Sequence, residues 1–189
     1  MVTMLAPPRA TPRATLDDLI RTGGKAELIA GRIVKFTPTG RRPNRVAGLV
    51  YSTLLMYDAT HGGEAYTDGI GFNVPELLSG RETFSPDASY YTGPQLADDM
   101  KFVAGAPDFA VEVRSDGDYG FAAEQEMAAK RADYFEAGTR VVWDVDPQAK
   151  IVRKYSTAGS VEVFSTGDVA DAEPAVPGWN IQIDWLFKE

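Results

Sequence analysis

The stretch PDFAVEV, residues 107–113, constrains the fold more than any other. Side chains alternate along an extended chain, so Phe109, Val111 and Val113 share one face while Asp108, Ala110 and Glu112 share the other. A segment this apolar reads as a central strand. An ionised carboxylate in its middle is costly unless it is paired or bound to a cation. A polar, glycine-containing loop, RSDGDYG, leads from it into FAAEQEMAAKRADYFEAG, a run of strong helix formers that ends at Gly138. TRVVWDVD then reads as another strand.

The rest of the chain supplies the partners for that strand. Residues 1–14 are rich in proline and small residues and read as a flexible lead-in, with one domain expected over residues 15–189. Thr15 with Asp18 resembles a helix cap ahead of a short stripe, Leu16, Leu19 and Ile20. AELIAGRIVKF alternates on either side of Ala30-Gly31 and reads as a hairpin. From Pro43 to about Thr60, Val46, Leu49, Val50, Thr53, Leu54 and Tyr57 recur at helical spacing until His61-Gly62-Gly63. Short extended segments follow in EAYT, GIGFNV and ETFSPDASYY. After TRVVWDVD, the segments KIVRKYS and SVEVFS alternate as strands, and PAVPGWNIQIDWLF closes the chain as a turn and a final strand. The order of hairpin, helix, strands, helix, strands specifies an α/β (α+β mixed) fold, with a mixed sheet and helices packed against it.

Composition bounds the function. With 189 residues, 44% of them hydrophobic, the chain can bury one sizeable core. The absence of cysteine excludes disulfides, thiolate zinc sites and a cysteine nucleophile. No apolar run approaches the ~20 residues of a membrane span, and the sequence reads as cytoplasmic. A formal charge of −8 argues against a non-specific nucleic-acid coat, since such binding depends on phosphate neutralisation. Arg41, Arg42 and Arg45, with Lys35 nearby, form one basic cluster, which also reads as a solvated loop and helix start.

The single histidine, His61, reads as part of a helix end, where a cation complements the dipole. Nucleophile-elbow, P-loop and dinucleotide-binding signatures are absent, so the remaining chemistry falls to carboxylates and lysine. Asp87 follows Pro86 at the start of an aromatic strand, Glu112 lies within PDFAVEV, and Lys130 sits in the following helix one turn before Tyr134. Taken singly, Asp87 reads as a turn carboxylate and Lys130 as a solvated surface residue. Together, two carboxylates on neighbouring strands and a nearby ammonium can hold a hard cation and steady a water that attacks a phosphodiester.

The succession ELIAGRIV, SPDASYY, PDFAVEV, KRADYFEAG, VVWDVDP and VPGWNIQIDWLF resembles the Uma family of restriction-endonuclease-like proteins, over nearly all of the chain after residue 15. The resemblance implies a restriction-endonuclease-like core of the PD-(D/E)xK type, a central mixed sheet flanked by helices with added β-hairpins, and a Mg2+ or Mn2+ site. It assigns the strand aspartate to Asp87, the acidic half of E-x-K to Glu112, and the lysine, moved into the next helix, to Lys130. Glu27 matches an early acidic position that completes the metal shell, and Val113 can add its backbone carbonyl. Arg114 stands where the E-x-K lysine would be. Asn44 stands near a histidine found in many relatives, and RSDGDYG replaces a serine-proline-serine-aspartate run. Asp108 is roughly 13 Å along the strand from Glu112, too far to share an ion, and reads as structural.

Three functions follow as expectations. The first is a metal-dependent endonuclease that hydrolyses DNA. The second is a catalytically idle nucleic-acid or protein interaction module on the same fold, since fold alone does not confer activity. A carboxylate-pair hydrolase of the glycosidase kind is weaker, because Trp143, Trp179 and Trp185 read as core and interface residues rather than a sugar platform. Exposed aromatic strand edges in FSPDASYY and WNIQIDWLF point to a homodimer.

Overall fold

A computed structural model describes residues 12–94, 100–157 and 159–188. The lead-in expected over residues 1–14 lies mostly outside them. Its last residues are anchored: Arg13 reaches Glu76 at 2.7 Å, and the Ala14 N–H donates to the Gly31 carbonyl at 2.8 Å.

Helix α1 (Leu16–Thr22) starts on Thr15. The Thr15 hydroxyl accepts from the Asp18 N–H and the Asp18 carboxylate accepts from the Thr15 N–H, the reciprocal cap that the sequence suggests. Strands β1 (Ala26–Ile29) and β2 (Arg32–Lys35) pair as the expected hairpin. Its two-residue turn puts Ala30 at φ 50° and Gly31 at φ 69°, a left-handed geometry whose twist matches the strands. Helix α2 (Arg41–His61) begins before Pro43, because Gly40 serves as N-cap and a first-turn proline lacks only an N–H that has no partner within the helix.

Next come β3 (Glu64–Thr67), β4 (Phe72–Asn73), β5 (Thr83–Phe84), β6 (Ala88–Tyr91), β7 (Val103–Ala104) and β8 (Phe109–Val113). Helix α3 (Phe121–Ala137) leads to β9 (Val141–Asp146), β10 (Ile151–Ser156), β11 (Val161–Phe164) and β12 (Val169–Asp171). The chain closes on β13 (Asn180–Gln182) and the single turn α4 (Ile183–Leu186). The strand expected at the end is therefore cut short. A helical turn lets Ile183 and Leu186, three residues apart, both bury.

The main sheet runs β11-β10-β9-β8-β6-β3. Within this sheet only β8 and β9 pair in parallel, and α3 supplies the crossover that a parallel pair requires. Helix α2 covers one face, with Val46, Val50 and Leu54 in one core cluster with Phe109, Val111, Val113 and Trp143. Helix α3 covers the other, where Tyr134 joins Ala110, Val142, Phe72 and Phe84, its ring stacked 4.1 Å from that of Phe84. Each such side chain taken out of water contributes about 1.5–3 kcal/mol. Because residues alternate along β8, Glu112 falls on the α3 face.

One expectation changes here. Strand β6 lies inside the sheet between β8 and β3 with all four residues buried, so FSPDASYY presents no open edge; β3 and β11 are the edge strands. Trp143 and Trp179 are core residues with rings 5.2 Å apart, whereas Trp185 is half exposed. Among the described residues, no helix is long and apolar enough to cross a membrane.

Candidate active site

The antiparallel ladder of β6 and β8 ends on Ala88 and Val111, and the Asp87 N–H also donates to the Val111 carbonyl, at 3.0 Å. Asp87 thus sits just before β6, beside the Val111–Val113 stretch that carries Glu112. The Asp87 carboxylate is oriented by the strand beside it: Oδ2 accepts from the Val113 N–H at 2.7 Å, while Oδ1 lies 2.5 Å from the Lys25 ammonium. Lys25 also reaches Asp68 at 2.7 Å.

Lys130 projects from α3 onto the same face. Its Nζ lies 2.8 Å from Glu112 and 3.1 Å from Glu27. One turn on, the Tyr134 hydroxyl donates to Glu112 at 2.6 Å, so the i and i+4 positions of α3 grip one carboxylate. Glu27, on β1, is fully buried. It also accepts from the Ser85 N–H at 3.0 Å and from the Arg81 guanidinium, which in turn binds Asp133 at 2.8 Å.

The structure thus gathers Glu27, Asp87, Glu112, Val113 and Lys130, drawn from β1, the start of β6, β8 and α3, into one contiguous network. Their electrostatics differ. Burial alone would raise the Glu27 carboxyl, but Lys130 and Arg81 more than reverse this and hold it below its ordinary value. Glu112 is raised, first by burial and also by the like charge of Asp87, with Lys130 opposing. Burial would lower Lys130, yet the two glutamates keep it above its ordinary value and firmly protonated. Burial, with both glutamates adding to it, pushes the Tyr134 hydroxyl well up, so it remains a donor.

A match to the family described as "Putative restriction endonuclease", Uma2, spans residues 13–184. The chain belongs to the Uma2 family. Among solved structures, a chain from Anabaena variabilis described as a "putative nuclease" of the DUF820 family is similar, with a TM-score of 0.72 at 18% identity. The likeness covers 92% of this chain and 97% of that one, and at this identity it is one of fold. No curated protein matches.

Several residues of this Uma2 chain that depart from the family pattern have structural roles. Arg114 is buried and donates through two nitrogens to both oxygens of Asp144, each at 2.6 Å, and it also binds Glu124. Its guanidinium is engaged there, which is why the position two residues after Glu112 supplies no ammonium beside it. The RSDGDYG loop is tied by Asp118, which accepts from the N–H and hydroxyl of Ser115 at 2.7 and 2.8 Å. Asn44 is exposed on α2. Asp108 accepts from the N–H and hydroxyl of Thr92 at the opposite end of β8 from Val113, in keeping with a structural role. His61 stacks on Tyr57 at 4.0 Å, and its Nδ1 lies 3.0 Å from the Tyr57 carbonyl, within the last turn of α2.

Arg41, Arg42 and Arg45 line a hollow with Val46, Leu186, Phe187 and Lys188. That lining includes none of Glu27, Asp87, Glu112 or Lys130, and α2 packs on the face of the sheet opposite α3. The basic cluster therefore does not share a rim with Lys130.

Sequence reasoning misses Lys25, Asp68, Arg81 and Asp133. Lys25 precedes Glu27 by two residues but lies in a bend ahead of β1, outside any alternating pattern. Asp68 comes from a turn and Arg81 from an isolated bridge to Ile29, so their side-chain partners are chosen only when the chain closes.

Proposed function

We propose that this protein is a divalent-metal-dependent endonuclease that hydrolyses DNA phosphodiester bonds. The observation that carries the reading is the Asp87 carboxylate held at 2.7 Å by the N–H of Val113, next in the chain to Glu112, whose own carboxylate lies 2.8 Å from the Lys130 ammonium. Family membership and the likeness in fold to a chain described as a nuclease support it.

The donor set suits the ion. Asp87, Glu112 and the carbonyl of Val113 are hard oxygen donors, with Glu27 behind them, and Mg2+ or Mn2+ takes one or two carboxylates while keeping several waters. Among the described residues, no three carboxylates stand close enough to enclose an ion by themselves. Ammonium groups lie between them instead. Among the ion pairs of the described residues, Glu27, Asp68, Asp87, Glu112 and Asp133 pair with Lys25, Arg81 and Lys130. With all five carboxylates ionised, the deficit is two positive charges, the charge of one such ion.

When bound, a divalent ion supplies Lewis-acid polarisation of the phosphoryl oxygen and a more acidic water. The protein's own groups do the rest. Asp87 is fixed by the Val113 N–H and so presents Oδ1 in one direction. Lys130 spends two N–H bonds on Glu112 and Glu27 and keeps a third for the attacking water or the developing phosphorane charge. Tyr134 and Lys130 together hold Glu112 at a single orientation.

Calorimetric titration of Mn2+ and Mg2+ into the wild type and Glu112→Gln, with plasmid nicking on the same samples, tests the reading. Binding and nicking that both disappear in the variant support it. A folded wild type that binds neither ion and leaves DNA intact overturns it, and the interaction-module reading takes its place.

A further inference from the structure

Asp87 has one oxygen committed to the Val113 N–H, so Oδ1 is the oxygen left to meet a cation. That oxygen already has one. The Lys25 ammonium sits 2.5 Å from it and 2.7 Å from Asp68, with the lysine and Asp87 side chains only 22% and 18% exposed. Lys25 lies in the bend just before β1 and is coupled electrostatically to Glu112 as well. Two ammonium groups thus divide the carboxylates between them. Lys130 holds Glu27 and Glu112, and Lys25 holds Asp87 and Asp68.

The roles of the two lysines differ. Lys130 rests on Glu27, which has no exposure, and is fixed on both sides. Lys25 rests on Asp68, which is 37% exposed and belongs to the turn after β3, so it has a second carboxylate at the rim of the site. An ammonium and a divalent ion on the same carboxylate oxygen repel each other strongly in a partly buried setting.

Resting on the metal-site reading above, we infer that Lys25 is a built-in counter-ion of that site: it neutralises Asp87 while no divalent ion is bound and withdraws onto Asp68 when one binds. The affinity for the ion is then set by a competition within the chain. Lys25 makes the site weak and keeps its carboxylates compatible in the ion-free protein.

Calorimetric titration of Mn2+ into the full chain, for wild type, Lys25→Met, Lys25→Arg, Asp68→Asn and the Lys25→Met/Asp68→Asn pair, tests this. Lys25→Met is expected to bind Mn2+ on the order of tenfold more tightly, and Lys25→Arg to stay near wild type. Asp68→Asn is expected to bind several-fold more weakly, because Lys25 loses the place to which it withdraws. In the Lys25→Met background the Asp68 substitution should have no further effect. Unchanged or weaker binding in a folded Lys25→Met protein overturns the inference while leaving the metal site standing. If Asp68→Asn weakens binding equally in both backgrounds, Asp68 is itself a ligand and the withdrawal is overturned. Absence of binding in every protein, wild type included, removes the metal site and this inference with it. Should Lys25→Met fail to fold, Asp68→Asn decides alone: affinity equal to or tighter than wild type overturns the inference.

Discussion

Lys130 stands 3.1 Å from Glu27, joining α3 to β1 through a carboxylate that has no contact with solvent. Removing the ammonium leaves Glu27 with Arg81 and the Ser85 N–H, and Glu112 with Tyr134. Lys130→Met should therefore destabilise the protein by about 3–5 kcal/mol, measured by urea unfolding. If the proposed nuclease activity holds, plasmid nicking should fall by about 10²-fold or more.

The two glutamates that Lys130 touches should give opposite pH signatures. Glu27 is held below its ordinary value, so its ionised form stabilises the fold above the unfolded pKa of about 4.3, and this is lost as pH falls through the folded value. Glu112 is raised, so its contribution is fully present below about 4.3 and is lost as pH rises through the folded value. Unfolding free energies measured from about pH 3 to about pH 8 should show the deficit of Glu27→Gln growing with pH. Those of Glu112→Gln should improve relative to wild type over the same rise.

Arg114 and Asp144 form a buried bidentate pair beside the site. Each single substitution to leucine should cost about 3–5 kcal/mol, because a charge is left without its partner. The double substitution should cost far less than the two together. A double-mutant cycle by chemical denaturation checks this. Arg114→Lys should not restore nicking to a Lys130→Met protein, since Asp144 and Glu124 hold that position away from Glu112.

Ala30 adopts φ 50° in the first hairpin, a conformation costly for a residue with a β-carbon. Ala30→Gly relieves that cost but loosens the unfolded chain. The net expectation is a gain of up to about 1 kcal/mol, visible as a rise in Tm of several degrees.

Much of this architecture is legible in the sequence. Strand β8 shows itself by alternation and α3 by composition, and Glu112 stands out because nothing apolar explains it. Strand β6 is harder. Its residues Ala88, Ser89, Tyr90 and Tyr91 are covered on both faces, so there is no alternation to mark which side is buried, and the segment reads as an edge. The packing of α3 is hidden for a related reason: it buries little beyond Asp133 and Tyr134, and Asp133 is buried only because Arg81 meets it. Lys130 could be placed on a helix by pattern, but its pairing with Glu27 depends on the hairpin folding back over the sheet. Turn residues such as Asp68 carry no periodic signal at all.

The origins of the network's residues give it a further property. The chain before residue 95 supplies Lys25, Glu27, Asp68, Arg81 and Asp87, and the chain after residue 99 supplies Glu112, Lys130, Asp133 and Tyr134. Neither part holds a usable constellation, and the two meet where β6 lies against β8, where β4 lies against β7, and through the Lys130–Glu27 and Arg81–Asp133 pairs. Chemistry at this position is therefore a property of the closed tertiary structure and of no fragment. If the proposed metal site holds, two separately produced halves would bind no ion until they docked, and a cation titration would then count reassembled molecules.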